Sequence, residues 1–203
     1  RSGEVDLYHQ DDSRIYMACR VCGLVFVPEA FRLTPEQEKA EYDLHRNEPD
    51  DPGYRKFLSR LSIPLLEKLA PGSLGLDFGC GPGPALAAMM EENGHTMALF
   101  DPFYANTPDV LRQRYDFICA TEVVEHLRQP ENDFHSLFGM LKPGGWLGIM
   151  TKQVTNKEAF GRWHYIRDLT HICFYSRPVF AYLAMRFNAG LYFAGDDVIL
   201  LQK

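Results

Sequence analysis

The sequence predicts an α/β fold built on a doubly wound, mostly parallel sheet, and three observations predict it. From Gly75 onward, apolar strand-like runs alternate with helical patterns. The first run, "LGLDFG", breaks into a turn with glycines at 79, 81 and 83 and re-emerges as the helical pattern "ALAAMMEENG". The end of the chain, "LYFAGDDVILLQK", reads as two strands folded back around Gly195 and Asp196, so the last strand is expected to be antiparallel.

Composition bounds the function. The 203 residues suit one main domain with a small appendage, and 46% apolar with 24% charged residues is ordinary for a globular chain. No run of about 18 apolar residues predicts a membrane span. A net charge of −6 argues against a broad nucleic-acid footprint. The cysteines number five, and Cys80, Cys119 and Cys173 lie in apolar surroundings, which fits reduced thiols in the cytoplasm. No charged-then-apolar leader opens the chain.

Residues 1–33 form the expected appendage. "IYMACRVCGLVFVP" reads as two short strands around a Cys-x-x-Cys-Gly turn, half of what a zinc ribbon needs. His9 or His45 could complete a site with Cys19 and Cys22, but neither has paired spacing, so an ordinary hairpin with two reduced cysteines is the preferred reading for this chain.

Residues 34–72 read as helical. Thr34 is the expected N-cap, with Pro35 at the first helical position and Gln37 three residues after the cap. Phe57, Leu58, Leu61, Leu65, Leu66 and Leu69 then recur near helical spacing, Pro64 marks a kink or break, and Pro71-Gly72 the stop. The polar, proline-rich residues 46–53 between the helices read as an ordered loop or a lid. Tyr42, His45, Tyr54 and Phe57 form a stripe that would either cover a ligand or pack on the sheet.

Residues 73–203 supply the strand–helix alternation: "LGLDFG", "TMALFDP", "YDFICATE" and "GWLGIMTK" as strands, "NDFHSLFGML" and "RPVFAYLAMRFN" as helices. Between Asp101 and Tyr115 there is no room for a full helix and strand, so one crossover is trimmed there.

A strand, a glycine turn and a helix place backbone N–H groups at a helix N-terminus, where a ligand can approach closely. A dinucleotide loop would require a third glycine at position 84, which is Pro84. Instead "LDFGCGPG" carries Asp77 ahead of the turn; Asp101 ends the next strand; and "TEVVEHL…LKPGG" follows the third. This set resembles the class I S-adenosylmethionine-dependent methyltransferases, small-molecule enzymes similar to the ubiquinone-biosynthesis O-methyltransferases. The resemblance implies a Rossmann-like fold over residues 73–203 and S-adenosylmethionine as cofactor. Asp77, Gly79, Cys80, Gly81 and Gly83 would hold its methionine part, Asp101 and Pro102 its ribose, and Thr121 and Glu122 would flank the sulfonium and the methyl acceptor.

The acceptor chemistry is expected in "RWHYIRDLTHICFYS", where His164, Tyr165 and His171 are candidate catalytic residues. His171, Phe174 and Ser176 match an H-x-x-F-x-S element of related methyltransferases. His126 is expected to bind backbone or cap its helix. The head also resembles that of bacterial methyltransferases whose zinc ribbon ends in "CxxCGLVF" after an upstream Cys-x-x-Cys, which implies that Cys19 and Cys22 are half of a zinc site incomplete in this chain. The expected partner is a small-molecule acceptor, with a homodimer compatible and neither membrane nor nucleic acid implied. The competing readings are a binding or scaffold protein with a vestigial core, supported by the trimmed segment after Asp101, and a nicotinamide oxidoreductase, opposed by Pro84.

Overall fold

The computed structural model describes residues 4–44 and 48–203. The head is a sheet of β1 (Val5–Gln10), β2 (Ile15–Cys19) and β3 (Val25–Phe26). The hairpin read from the sequence is β2–β3, with Met17 opposite Phe26 and Ala18 opposite Val25. Gly23, at φ +78°, makes its tight turn and donates its N–H to the Cys19 carbonyl at 2.8 Å.

Two helices follow. The first, α1 (Pro35–Tyr42), carries the expected capping box: Thr34 accepts from the Gln37 N–H, and the Gln37 side chain accepts from the Thr34 N–H. The second, α2 (Pro52–Leu66), is capped by Asp51 and runs through Pro64, ending two residues later at Leu66. Pro64 therefore sits in the final turn, where the kink or break expected of it reduces to an approaching stop. His45, and the start of the loop at 46–53, lie outside the described residues.

The central sheet then assembles from β4 (Leu74–Phe78), β5 (Thr96–Phe100), β6 (Tyr115–Thr121) and β7 (Leu141–Met150), all parallel, with α3 (Ala85–Glu92) and α4 (Pro130–Met140) as crossovers. After β7 come the short α5 (Lys157–Phe160), β8 (Cys173–Phe174) and α6 (Arg177–Phe187). Asn188 in the left-handed conformation caps α6. The closing strands β9 (Gly190–Phe193) and β10 (Val198–Gln202) are antiparallel, giving the order β5-β4-β6-β7-β10-β9. The fold is thus Rossmann-like, mostly parallel, with the antiparallel ending the sequence predicts. Between Asp101 and Tyr115 it holds only the Asp101–Ala105 bridge and a 3-10 turn, Pro108–Arg112, so β5 ends the sheet.

Side-chain alternation divides the core between the two faces of the sheet. Phe117, Cys119, Met150, Val198 and Leu200 face α2 and α3. Ile118, Ala120, Leu147, Ile149, Ile199 and Leu201 face the other way, toward α4, α6 and the head. Gly148 lets α2 come close: an added Cβ there would sit 3.0 Å from Leu61 and 3.2 Å from Leu65.

β8 joins the head sheet, with Val25 opposite Phe174 and Phe26 opposite Cys173. Tyr16 of β2 is fully buried and packs edge-on against Phe160 and Phe174 at 5.1 and 5.7 Å between ring centres. The head therefore shares one hydrophobic core with the later half of the chain.

Candidate functional site

The ends of β4, β5 and β6 open into a cleft of about 1150 Å³. Asp77, Gly79, Cys80, Gly81, Gly83, Asp101, Pro102, Thr121 and Glu122 all line it, as do His164, Tyr165 and His171. The residues singled out from the sequence are thus brought to one cavity, apart from Cys19 and Cys22.

Its floor is the turn after β4. Gly79 and Gly81 have φ of +78° and +62°, so the chain reverses twice within three residues. The Gly79 N–H donates to the Phe100 carbonyl at 2.7 Å, which ties the turn to the end of β5. Position 79 admits no side chain: a Cβ would lie 2.4 Å from Val123 Cγ2. Gly79→Ala combines this clash with the unfavourable φ, and we expect a loss of about 3 kcal/mol in urea unfolding.

Asp77 lies beneath this turn and is only 2% exposed. Burial pushes its pKa up to about 7, the Ala87 N–H in the first turn of α3 opposes the shift, and the Asp101 charge adds to it. A carboxyl in this state is poised to pair with a cation.

Asp101 is held differently. Its Oδ1 accepts from the N–H groups of Phe103 (2.8 Å) and Tyr104 (3.1 Å), and its Oδ2 accepts from Gly81 N–H (3.0 Å). These bonds fix the carboxylate plane at the cleft edge and leave one acceptor position, on Oδ2. The same turn brings Phe103 and Tyr104 into the cleft. Both are aromatic groups in the trimmed segment after Asp101, where the sequence pattern marks no site residue beyond Pro102.

Beyond β6 the chain is strained. Glu122 has φ +52°, costly for a residue with a side chain, and donates its N–H to the Met150 carbonyl at 2.8 Å. Burial pushes its pKa up to about 8, with the Glu125 charge the next cause. Glu125 is fully buried and accepts a short hydrogen bond from the Tyr165 hydroxyl, which also lies 3.2 Å from Thr151 Oγ1. Burial and then Glu125 raise the Tyr165 pKa far above the ordinary phenol value. Tyr165 therefore lines the cleft as a fixed donor to Glu125, and its phenol is unsuited to take a proton. His171 Nδ1 pairs with the Tyr165 carbonyl at 2.8 Å, and its Nε2 is 3.6 Å from Asp168. Burial lowers the His171 pKa, with His126 the next cause, so its ring is neutral near pH 7. His164 is exposed, with Nε2 2.8 Å from Lys152 Nζ. His126 Nδ1 meets the Thr170 carbonyl at 3.0 Å, the backbone contact expected of it.

The wall opposite the sheet comes from α1 and α2. Tyr42 packs edge-on against His126 at 5.4 Å and tilts over Phe103 at 5.9 Å. Glu38 pairs with Arg128 at 2.8 Å, and the Tyr104 hydroxyl donates to Asp43 at 2.7 Å. Tyr54 of α2 lines the cleft near Asp77 and Glu122, whose charges add to burial in raising its pKa to about 12.

Cys19 and Cys22 stand apart, at the far turn of the head. Burial raises the pKa of Cys22, and N–H groups in the Cys-x-x-Cys turn outweigh burial at Cys19 and lower it. Among the described residues no third histidine, cysteine or carboxylate gathers with the pair. His9, one candidate third ligand, sits at the opposite end of β1, against Tyr16 and Phe160. The strand register that places Val5 opposite Cys19 carries His9 away.

Comparisons with known proteins agree with this geometry. The family model described as "Methyltransferase domain" matches residues 46–190. No curated protein matches in sequence. Among solved structures, a Burkholderia thailandensis 1,6-didemethyltoxoflavin-N1-methyltransferase, with 1,6-didemethyltoxoflavin and S-adenosylhomocysteine bound, superposes at a TM-score of 0.61. The two are 15% identical, and the match covers 99% of each chain. A SAM-dependent methyltransferase from Archaeoglobus fulgidus gives 0.55 at 16% identity over 73% of this chain and 94% of that one. An O-methyltransferase family protein from Burkholderia thailandensis gives 0.50 at 13% over 82% and 62%. At such identities the likeness is one of fold. The family model spans well over half of the chain, and the chain belongs to the methyltransferase-domain family.

Proposed function

We propose that this chain transfers the methyl group of S-adenosylmethionine to a small-molecule acceptor. The observation that carries the reading is the pairing of a buried, cation-seeking Asp77 under a glycine turn with an oriented Asp101 at the next strand end. S-adenosylmethionine, when bound, supplies an electrophilic methyl group on a sulfonium.

The chain's own residues do the rest by placement. Asp77 takes the ammonium of the methionine head, and the Gly79–Gly83 turn admits it closely. Asp101 accepts from a ribose hydroxyl, with Pro102 behind it. Phe103 and Tyr104 supply the aromatic surface for the base. Thr121 and Glu122 border the sulfonium side, and α1 with α2 closes the cleft as a lid. On the acceptor side, His171 is placed to take a proton from a hydroxyl or amine, His164 with Lys152 to bind an anionic group, and Tyr165 to hold Glu125 and His171 in position. Cys19 and Cys22 have the spacing of half a zinc site, incomplete in this chain. A cytoplasmic location fits the free cysteines, and a small acceptor in place of nucleic acid fits the acidic balance; no helix among the described residues is long and apolar enough to cross a membrane.

The test is calorimetry with S-adenosylhomocysteine. Binding weakened by about 30-fold in Asp101→Ala, with little affinity for NAD, is the expected result, since the variant loses a hydrogen bond to a charged acceptor and the anchor of the Gly81, Phe103 and Tyr104 N–H groups. Tight NAD binding without S-adenosylhomocysteine binding contradicts the proposal.

A further inference from the structure

We infer that Glu125 is the positioning residue of the proton acceptor: through Tyr165 its buried carboxylate fixes the His171 ring, and it supplies the negative charge that this ring meets on taking a proton. Resting on the proposed methyl transfer, in which His171 takes the acceptor's proton, the role falls to a residue sealed from the cleft.

Glu125 is fully buried. Its Oε1 accepts from the Tyr165 hydroxyl, and its Oε2 is buried with no hydrogen-bond partner among the described residues. An oxygen in this state is costly unless a positive charge comes within its reach. The His171 ring lies within that reach: a carboxylate oxygen of Glu125 and a ring nitrogen each of His171 and His126 are within 4.8 Å of one another. Backbone and packing bind the same residues together. The Glu125 carbonyl accepts from the Ile172 N–H at 2.8 Å, and the Tyr165 and His171 rings pack 4.0 Å apart between centres. Glu125 therefore grips the loop on both sides of His171.

The proton positions follow from the partners. The Tyr165 carbonyl, which only accepts, is 2.8 Å from His171 Nδ1, so the neutral ring carries its proton there and presents the Nε2 lone pair. When a hydroxyl or amine of the acceptor gives up its proton, Nε2 takes it, the acceptor keeps the bonding pair, and His171 becomes an imidazolium. Two carboxylates face that cation, Asp168 at 3.6 Å from Nε2 and Glu125. Distance favours Asp168 by a factor of only about 1.3, and a charge in dry protein acts several times more strongly than one screened by water. The Asp168 side chain is 36% exposed and spends its Oδ1 on the Thr170 N–H and hydroxyl, whereas Glu125 is dry. Burial thus outweighs distance. His126, its ring centre 4.8 Å from that of His171, opposes the proton, and Tyr42 of α1, packed on His126, is kept neutral by burial. Glu122 is the other carboxyl at this end; burial and the Glu125 charge push its pKa up to about 8, so near pH 7 the charge of the two rests on Glu125.

Nitrogen-15 NMR titration of the histidine rings in the full chain tests the role, with His171→Gln assigning the signal. The wild-type ring is expected to hold its neutral-state proton on Nδ1, an observation that needs no variant. In Glu125→Gln, which keeps the size of the side chain, the His171 midpoint should fall by about one pH unit, and by more than in Asp168→Asn. A glutamine-variant ring that stays neutral down to the acid limit of folding, where the wild-type ring titrates, is the same result. Urea unfolding confirms that each variant is folded; a merely structural Glu125 would cost stability and leave the midpoint in place. A neutral-state proton on Nε2, a fall of under about half a unit, or a larger fall in Asp168→Asn overturns the role. S-adenosylhomocysteine calorimetry on the wild type keeps the two readings apart. Bound cofactor with an unmoved midpoint sinks only the role of Glu125, and a moved midpoint without cofactor binding sinks only the methyl transfer.

Discussion

Asp77→Asn is expected to make the free protein more stable and the cofactor-bound protein harder to form. The sign follows from linkage. The folded-state pKa of about 7 lies above the ordinary value of 3.8, so between those pH values the folded chain holds the proton more firmly than the unfolded chain does. Stability contributed by the protonated form is present below about pH 4 and is lost as pH rises through 7. At pH 7.5 the ionised, buried carboxyl costs on the order of 4 kcal/mol. Asparagine removes that cost and keeps an oxygen for Ala87, and we expect a net gain of about 2 kcal/mol, read as a rise of roughly 5 °C in Tm. The ammonium of the cofactor loses its charged partner at the same time, and affinity for S-adenosylhomocysteine should fall about 50-fold. In the native chain, binding should be about eightfold weaker at pH 6 than at pH 7.5, because Asp77 must release a proton first. A destabilised Asp77→Asn, or an affinity flat over this range, would separate Asp77 from the cofactor.

The second large effect lies outside the cleft. Arg14, just before β2, is 2% exposed and spends its guanidinium on four acceptors: Tyr16 Oη at 2.9 Å and the carbonyls of Ile166 (2.7 Å), Asp168 (2.8 Å) and Leu169 (3.1 Å). Those carbonyls belong to the loop that carries His164, Tyr165 and His171. Arg14→Ala leaves them without that donor and opens a void, for an expected loss of about 4 kcal/mol. Since the glycine turn lies on another element, S-adenosylhomocysteine affinity in the surviving folded fraction should change by less than about threefold, while turnover falls. Arg14→Lys, a point charge without the planar fork, should recover less than half of the stability. A loss under about 1 kcal/mol in urea unfolding would show that the head does not brace the site. The head is thus a brace for the acceptor loop whether or not Cys19 and Cys22 ever hold zinc.

The legible parts of this chain were those whose causes are local. The glycine turn announces itself because Gly79 and Gly81 need positive φ, and β4, α3 and β6 because their apolar periods are unbroken. The capping box at Thr34 is four residues long and was read directly. β1 was not: "VDLYHQ" is an edge strand with mostly exposed side chains, so no apolar alternation marks it. β8 is two residues, and exists only because β3 pairs with it across nearly 150 residues of sequence. Glu125 escaped for the same reason. In "TEVVEHL" it looks like a solvated helix face, and what buries it is Tyr165, 40 residues on. Phe103 and Tyr104 carry no local sequence signal, because only the turn held by Asp101 brings their rings into the cleft.

The most direct test of the account is a structure of the chain with S-adenosylhomocysteine bound. The account predicts the amino group within roughly 3 Å of Asp77, a ribose hydroxyl on Asp101 Oδ2, and the base between Phe103 and the side chains of α1. A ligand whose amino-acid end points away from Asp77, or an Asp101 that keeps only its bonds to Gly81, Phe103 and Tyr104, would contradict it.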